Sequence, residues 1–334
     1  MSWFWKKSTS PKRRTKPSPQ RTTLGVEGLE RRDMCAINVQ HSGIALIIDA
    51  TNHASGVAIT FSIDKKDLNK AYDDQIVFNV KYANGNTTYG RFDMFIDDGD
   101  DTPHKQYAKI VFYGSDHDDT VFNNTDLPSL LHGFDGDDEL HGGSANDTIK
   151  GGWGSDDLFG NDGWDSMFGD GHHGGNDAGS VDYLYGGDDP DTMYGGGGGL
   201  NYMYGGEGID RMYGGWRATN FLFGGIGDDY LFGGDDGAVN FLYGQAGNDK
   251  MVGGNGVEFG PTVFNHLIDG EGADQFFGGN RAMNIIDAAD GSSYASQKDL
   301  IVEGEFLSTD IVFSDANDLL WNPAWGVYPN KPKK

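Results

Sequence analysis

Along the middle of the chain the apolar side chains do not cluster. They come singly, nine to eleven residues apart, through Leu131, Leu140, Ile149, Leu158 and Met167, and again from Leu184 through Met193, Met203, Met212, Leu222, Leu231, Leu242 and Met251. Glycines, aspartates and asparagines fill the gaps. This period is neither the 3.6-residue stripe of a helix nor the sustained alternation of a long strand. It fits a short unit, a turn followed by a three-residue strand, whose central side chain is buried while its two neighbours face the other way. One apolar side chain cannot make a core. Such units must stack, two to a coil, into two parallel sheets with a thin core between them.

Upstream the pattern changes to that of ordinary strands. Residues 44–48, 57–63, 75–82, 87–96 and 107–113 are rich in β-branched and aromatic residues, with a turn signal at Asn84-Gly85 between the third and fourth. The last of them runs directly into residues 114–122, a degraded first unit, which predicts one continuous coil in which the leader caps an open sheet end. Downstream, residues 299–303 and 310–313 read as strands, Trp321 and Trp325 are placed to cover the last coil, and residues 331–334 read as a frayed end. The predicted fold is all-β: a two-sheet parallel β-roll of nonapeptide repeats behind a β-rich cap. Its expected divisions are a basic arm (1–35), the cap (36–113), the roll (114–287) and a C-terminal β cap with tail (288–334).

The turns carry the chemistry. Good copies are Gly151-Gly-Trp-Gly-Ser-Asp-Asp-Leu-Phe159, Gly205-Gly-Glu-Gly-Ile-Asp-Arg-Met-Tyr213, Gly224-Gly-Ile-Gly-Asp-Asp-Tyr-Leu-Phe232 and Gly244-Gln-Ala-Gly-Asn-Asp-Lys-Met-Val252, so the unit is Gly-Gly-x-Gly-x-Asp-x-(apolar)-x. Glycines let backbone carbonyls turn inward, and the position-six Asp adds a carboxylate. Hard oxygen donors of this kind suit calcium, which takes six to eight of them. Composition agrees. Of 53 Gly, 42 lie between residues 133 and 279. Residues 1–32 hold nine basic and two acidic side chains, leaving 16 basic against 49 acidic, a net of −33, for the rest. Such a surface repels nucleic acid and anionic lipid and calls for bound cations.

Several other chemistries find no support in the sequence. Cys35 is the single cysteine, so no intramolecular disulfide can staple the fold, and no run of 18 apolar residues spans a membrane. There is no His-Glu-x-x-His helix, no Gly-x-Ser-x-Gly elbow and no phosphate-binding loop, so no enzyme is expected. His172-His173 reads as part of a solvated loop, and His132 and His141, nine apart, fall on opposite sheets.

The repeat resembles the hemolysin-type RTX calcium-binding nonapeptide. That resemblance implies a parallel β-roll with calcium held between loops one coil apart, in a protein of the cell surface or extracellular space. The ligands expected are Asp119, Asp138, Asp147, Asp156, Asp165, Asp182, Asp191, Asp210, Asp229, Asp249 and Asp274. Residues 26–34, Val-Glu-Gly-Leu-Glu-Arg-Arg-Asp-Met, resemble the VExLExR sorting segment of exported bacterial surface proteins and suit the same location. The expected function is a calcium-dependent structural or adhesive module that folds on binding calcium. The alternative is a secreted carbohydrate-active enzyme or polysaccharide-binding module using the solenoid face.

Sorting units by parity refines the picture, because alternate units share an edge. One edge reads Asp147, Asp165, Asp191, Asp210, Asp229, Asp249 and Asp274. The other reads Asp119, Asp138, Asp156 and Asp182, then Asn201, Asn220, Asn240, Asn265 and Asn284. Calcium is expected on both edges up to about Asp182 and on one edge beyond it, the other being held by an asparagine ladder. Position nine holds Phe159, Phe168, Tyr185, Tyr194, Tyr204, Tyr213, Phe223, Phe232, Tyr243 and Phe277, which parity points outward as an aromatic stripe. That stripe is either a stacked ladder or a binding platform.

Overall fold

A computed structural model describes residues 38–42, 45–51, 55–64, 75–82, 87–93, 95–96, 104–105, 109–170, 177–257, 262–268, 270–288, 299–302, 309–314, 319–322 and 326–329. The basic arm with its sorting-like segment, Cys35, the Asn84-Gly85 turn, His172-His173, Trp325 and residues 331–334 lie outside them. The described residues form strands and turns, with no helix among them and so no helix able to cross a membrane.

Two long sheets of 14 and 13 strands face each other, and the chain alternates between them. Thr148–Trp153 belongs to the first and Asp157–Asp162 to the second, and each pairs in parallel with the strand one coil away: Ile149 opposite Met167, Leu158 opposite Leu184. Position-eight side chains alone fill the gap. From Leu131 to Phe276 they are fully buried, while residues on either side are partly exposed, the alternation that a three-residue strand imposes. The result is the two-sheet parallel β-roll expected from the spacing.

Both sheets run past the repeats. Ala45–Asp49 pairs in parallel with Lys109–Tyr113, and Val57–Asp64 with Thr120–Asn124, so the leader sits on the same two sheets. Val57–Asp64, Gln75–Tyr82 and Thr87–Asp93 then form an antiparallel meander. Its core is deeper, with Phe61, Phe78 and Phe112 buried beside Ile48, Ile59 and Ile76. At the other end Leu300–Val302 and Thr309–Ser314 extend the parallel stack, and Leu319–Asn322 adds one further strand that pairs antiparallel with Gly326–Pro329.

The outward aromatic residues are stacked on one another. On the second sheet Phe159, Tyr185, Tyr204, Phe223 and Tyr243 follow at 4.7–5.0 Å with planes within 10°. His141 extends this column, lying between Phe122 and Phe159 at 4.4 and 4.1 Å. On the first sheet Phe168, Tyr194, Tyr213 and Phe232 do the same at 4.9 Å. A second column at position seven, Tyr183, Tyr202, Phe221 and Phe241, was not foreseen; its residues sit in strands that differ from the Gly-Gly-x-Gly-x-Asp consensus, and only the register lines them up. Each ring inside a column has rings on both faces. Replacing Tyr194, Tyr213 and Phe232 together by Thr removes three stacks worth about 0.5–1.5 kcal/mol each. Denaturant unfolding of the calcium-loaded protein should register a loss of at least about 1.5 kcal/mol; an unchanged midpoint would mean that the rings are free for a ligand.

Candidate metal centres

The position-six side chains form two internal rows, one along each edge of the roll. Backbone turns place them there: where the chain leaves the second sheet, Gly206 and Gly208 take φ of +113° and +150°, and Gly225 and Gly227 repeat this at +118° and +143°. A methyl group at Gly227 would lie 1.5 Å from the Gly208 carbonyl oxygen, so position four of this unit has no room for one.

On that edge every aspartate is tied to the next. The backbone N–H of Asp147 donates to Asp165 Oδ1 at 2.6 Å, Asp165 to Asp191 at 2.7 Å, Asp191 to Asp210 at 2.8 Å, Asp210 to Asp229 at 2.9 Å, Asp229 to Asp249 at 2.8 Å and Asp249 to Asp274 at 2.7 Å. The row goes one step further than sequence reading took it, because Asp274 N–H donates to Asp299 Oδ1 at 2.8 Å. Asp299 has no glycine motif before it; its only signal was an Asp two residues before a buried apolar residue, Ile301. The opposite edge starts alike, with Asp119 N–H donating to Asp138, Asp138 to Asp156 and Asp156 to Asp182.

One oxygen of each carboxylate is thereby used. The second is buried, and in Asp138, Asp165, Asp191, Asp210, Asp229, Asp249 and Asp274 it has no hydrogen-bond donor. What faces it is another oxygen. A methyl placed on Gly205 would lie 2.3 Å from Asp210 Oδ2 and 2.2 Å from the carbonyl oxygen of Gly224, one coil on; Gly160, Gly186 and Gly224 show the same pair of oxygens. Acceptors converging without a donor are unstable unless a proton or a cation joins them. Burial accordingly pushes the carboxyls of Asp138, Asp165, Asp191 and Asp229 up to about 8, Asp249 to about 7 and Asp210 to about 6, with neighbouring carboxylates adding to the rise in most of them. Among the described residues no three His, Cys, Asp or Glu side chains converge, so a cation here must take most ligands from backbone carbonyls, as a hard oxygen-seeking ion does.

The first residue of each row differs. Asp119 Oδ2 accepts from Ser115 N–H at 2.6 Å, and Asp147 Oδ2 accepts from Gly143 N–H. Protein donors already serve these two carboxylates, which sets them apart from the expected ligands further along.

Beyond Asp182 the opposite edge, the one that starts at Asp119, changes chemistry. Asn201 Nδ2 donates to Asn220 Oδ1 at 2.9 Å, Asn220 to Asn240 at 2.8 Å, Asn240 to Asn265 at 2.8 Å and Asn265 to Asn284 at 2.7 Å. The other amide hydrogen goes to a glycine carbonyl of the same loop, Gly215, Gly234, Gly254 or Gly279 for the later four, and their Oδ1 atoms accept from the same glycines' N–H groups. In Asn220, Asn240 and Asn265 all donors and acceptors are used. The carbonyls that could have faced a cation are committed, and the left-handed turn has moved to Arg217, Asp236 and Arg281 in these lengthened loops.

Residues 132–167, 179–199, 196–216, 218–237 and 238–257 match the family described as RTX calcium-binding nonapeptide repeat (4 copies). No match was found among curated proteins or among solved structures.

Proposed function

We propose, taking the RTX calcium-binding nonapeptide as the unit from which the roll is built, that this chain is a structural or adhesive module of the cell surface or extracellular space whose roll folds on calcium. The observation that supports this most is the set of buried carboxylate oxygens along the two edges, at Asp138 on one and at Asp165, Asp191, Asp210, Asp229, Asp249 and Asp274 on the other, each without a donor. With Asp156 and Asp182 they are the ligands proposed here, joined by glycine carbonyls one coil away; calcium supplies the positive charge that lets those oxygens stay together. Asp119 and Asp147 are weaker candidates because backbone N–H groups already hold them. The basic arm and its sorting-like segment support an exported location, as does the millimolar calcium found there, which fills low-affinity oxygen sites.

A polysaccharide platform gains no support from the aromatic stripes. Sugar rings dock on open ring faces, whereas the faces here are turned toward neighbouring rings at 4.7–5.0 Å and the outer surface receives ring edges.

The reading is tested by locating the ions. Anomalous scattering from a calcium-soaked crystal should give peaks along both edges up to Asp182 and, beyond it, only beside Asp191, Asp210, Asp229, Asp249 and Asp274. Strong peaks beside Asn220 and Asn240 would overturn the one-edged assignment, and no peak beside Asp210 or Asp229 would overturn calcium binding itself.

A further inference from the structure

Among the described residues, tyrosine stacks on tyrosine between coils at three places: Tyr183 on Tyr202 at 4.9 Å and 7°, Tyr185 on Tyr204 at 5.0 Å and 5°, and Tyr194 on Tyr213 at 4.9 Å and 9°. All three join the same two consecutive coils. Tyr183, Tyr185 and Tyr194 belong to one, Tyr202, Tyr204 and Tyr213 to the next, two pairs on the second sheet and one on the first. Every other ring that these columns stack against these tyrosines is phenylalanine: Phe159 before Tyr185, Phe168 before Tyr194, Phe221, Phe223 and Phe232 after. The coil junction is also where the Asp119 edge changes character, Asp182 being the register partner of Asn201. The carboxylate row ends on one side of it and the amide ladder begins on the other.

We propose that this junction is a site of oxidative tyrosine coupling, at which a one-electron oxidant of the peroxidase and hydrogen peroxide class welds the two coils through dityrosine. Each phenol gives one electron to the oxidant and its hydroxyl proton to water. The two phenoxyl radicals join by a carbon–carbon bond between ring positions ortho to oxygen, and the two hydrogens displaced there return to the phenol oxygens as the rings regain aromaticity. In sum two tyrosines lose two hydrogen atoms and one peroxide becomes two waters. The fold supplies the arrangement: partners in register cannot diffuse apart, so coupling is intramolecular and favoured over collisions between chains. All six rings are at least partly exposed and so within reach of an oxidant. With a single cysteine in the chain, a carbon–carbon bond is the crosslink these residues can make, and one that chelation of calcium would not undo.

The proposal rests on the register of the sheets and not on calcium ligation. The test treats the full chain, its β signal first checked by circular dichroism in calcium buffer, with horseradish-type peroxidase and hydrogen peroxide. Dityrosine fluorescence should rise in a product that stays monomeric on a denaturing gel, with a mass loss of two hydrogens per link. Peptide mapping should join Tyr183 to Tyr202, Tyr185 to Tyr204 or Tyr194 to Tyr213. The triple variant Tyr202→Phe, Tyr204→Phe, Tyr213→Phe keeps every stack and should lose at least tenfold in yield, while Tyr243→Phe, whose ring neighbour is Phe223, should match the parent. Undiminished yield in the triple variant, or links that map between chains, would overturn the proposal.

Discussion

In excess chelator at pH 8, residues 114–287 are expected to lose most of their β circular dichroism, and millimolar calcium is expected to restore it. Metal-free, the roll must hold a row of carboxylates whose second oxygens meet only other oxygens, with a core one side chain deep to offset them. Acid should act as a partial substitute for the metal. Asp138, Asp165, Asp191 and Asp229 titrate at about 8 in the folded chain against an ordinary value of 3.8, so folding takes up protons between those limits. The metal-free roll is therefore most stable below pH 3.8, loses stability as pH rises from there to about 8, and changes little above. With calcium the sign reverses, because the ligands must be deprotonated. A chelated sample that shows the same β signal and melting curve at pH 8 as the calcium-loaded one would overturn this account, and so would a chelated sample that weakens on acidification from pH 8 to pH 5.

The substitution Asn240→Asp is expected to destabilise the roll by about 3–5 kcal/mol in the presence of calcium, the cost of an unpaired buried charge. Asn240 Nδ2 donates to Gly234 O and Asn265 Oδ1, both at 2.8 Å; an oxygen in its place meets two acceptors. Calcium should not rescue it, since the Gly234 carbonyl and N–H are oriented for an amide. Asp229→Asn is the counterpart on the other edge. There an amide nitrogen would face a glycine carbonyl instead of leaving an oxygen without a donor, so the metal-free roll should gain stability while calcium stabilises it less than the parent. Denaturation midpoints of both variants, each with and without calcium, measure this directly. Full recovery of Asn240→Asp by calcium would show that the two edges are chemically alike.

The sequence by itself determined the roll. A buried residue every nine or ten positions, with glycine and aspartate at fixed offsets, admits one way of hiding single apolar side chains, and the parity of Asp and Asn along the two edges follows from counting. Local pattern could say this much because each unit meets only the units one coil away. The cap strands at 57–63 and 75–82 were legible for the same reason, being ordinary β-branched runs. What tertiary structure decided depends on which units become neighbours. That Asp119 and Asp147 already have N–H donors follows from their places at the ends of rows, where Ser115 and Gly143 fold back on them. Asp299 joined its row through register with Asp274, across a stretch with no repeat motif. The second aromatic column and the three tyrosine pairs arise because coils of unequal length still stack strand on strand, at a spacing close to that of a ring stack. One-dimensional periodicity fixes which way a side chain points; only the stacked coils fix what it touches.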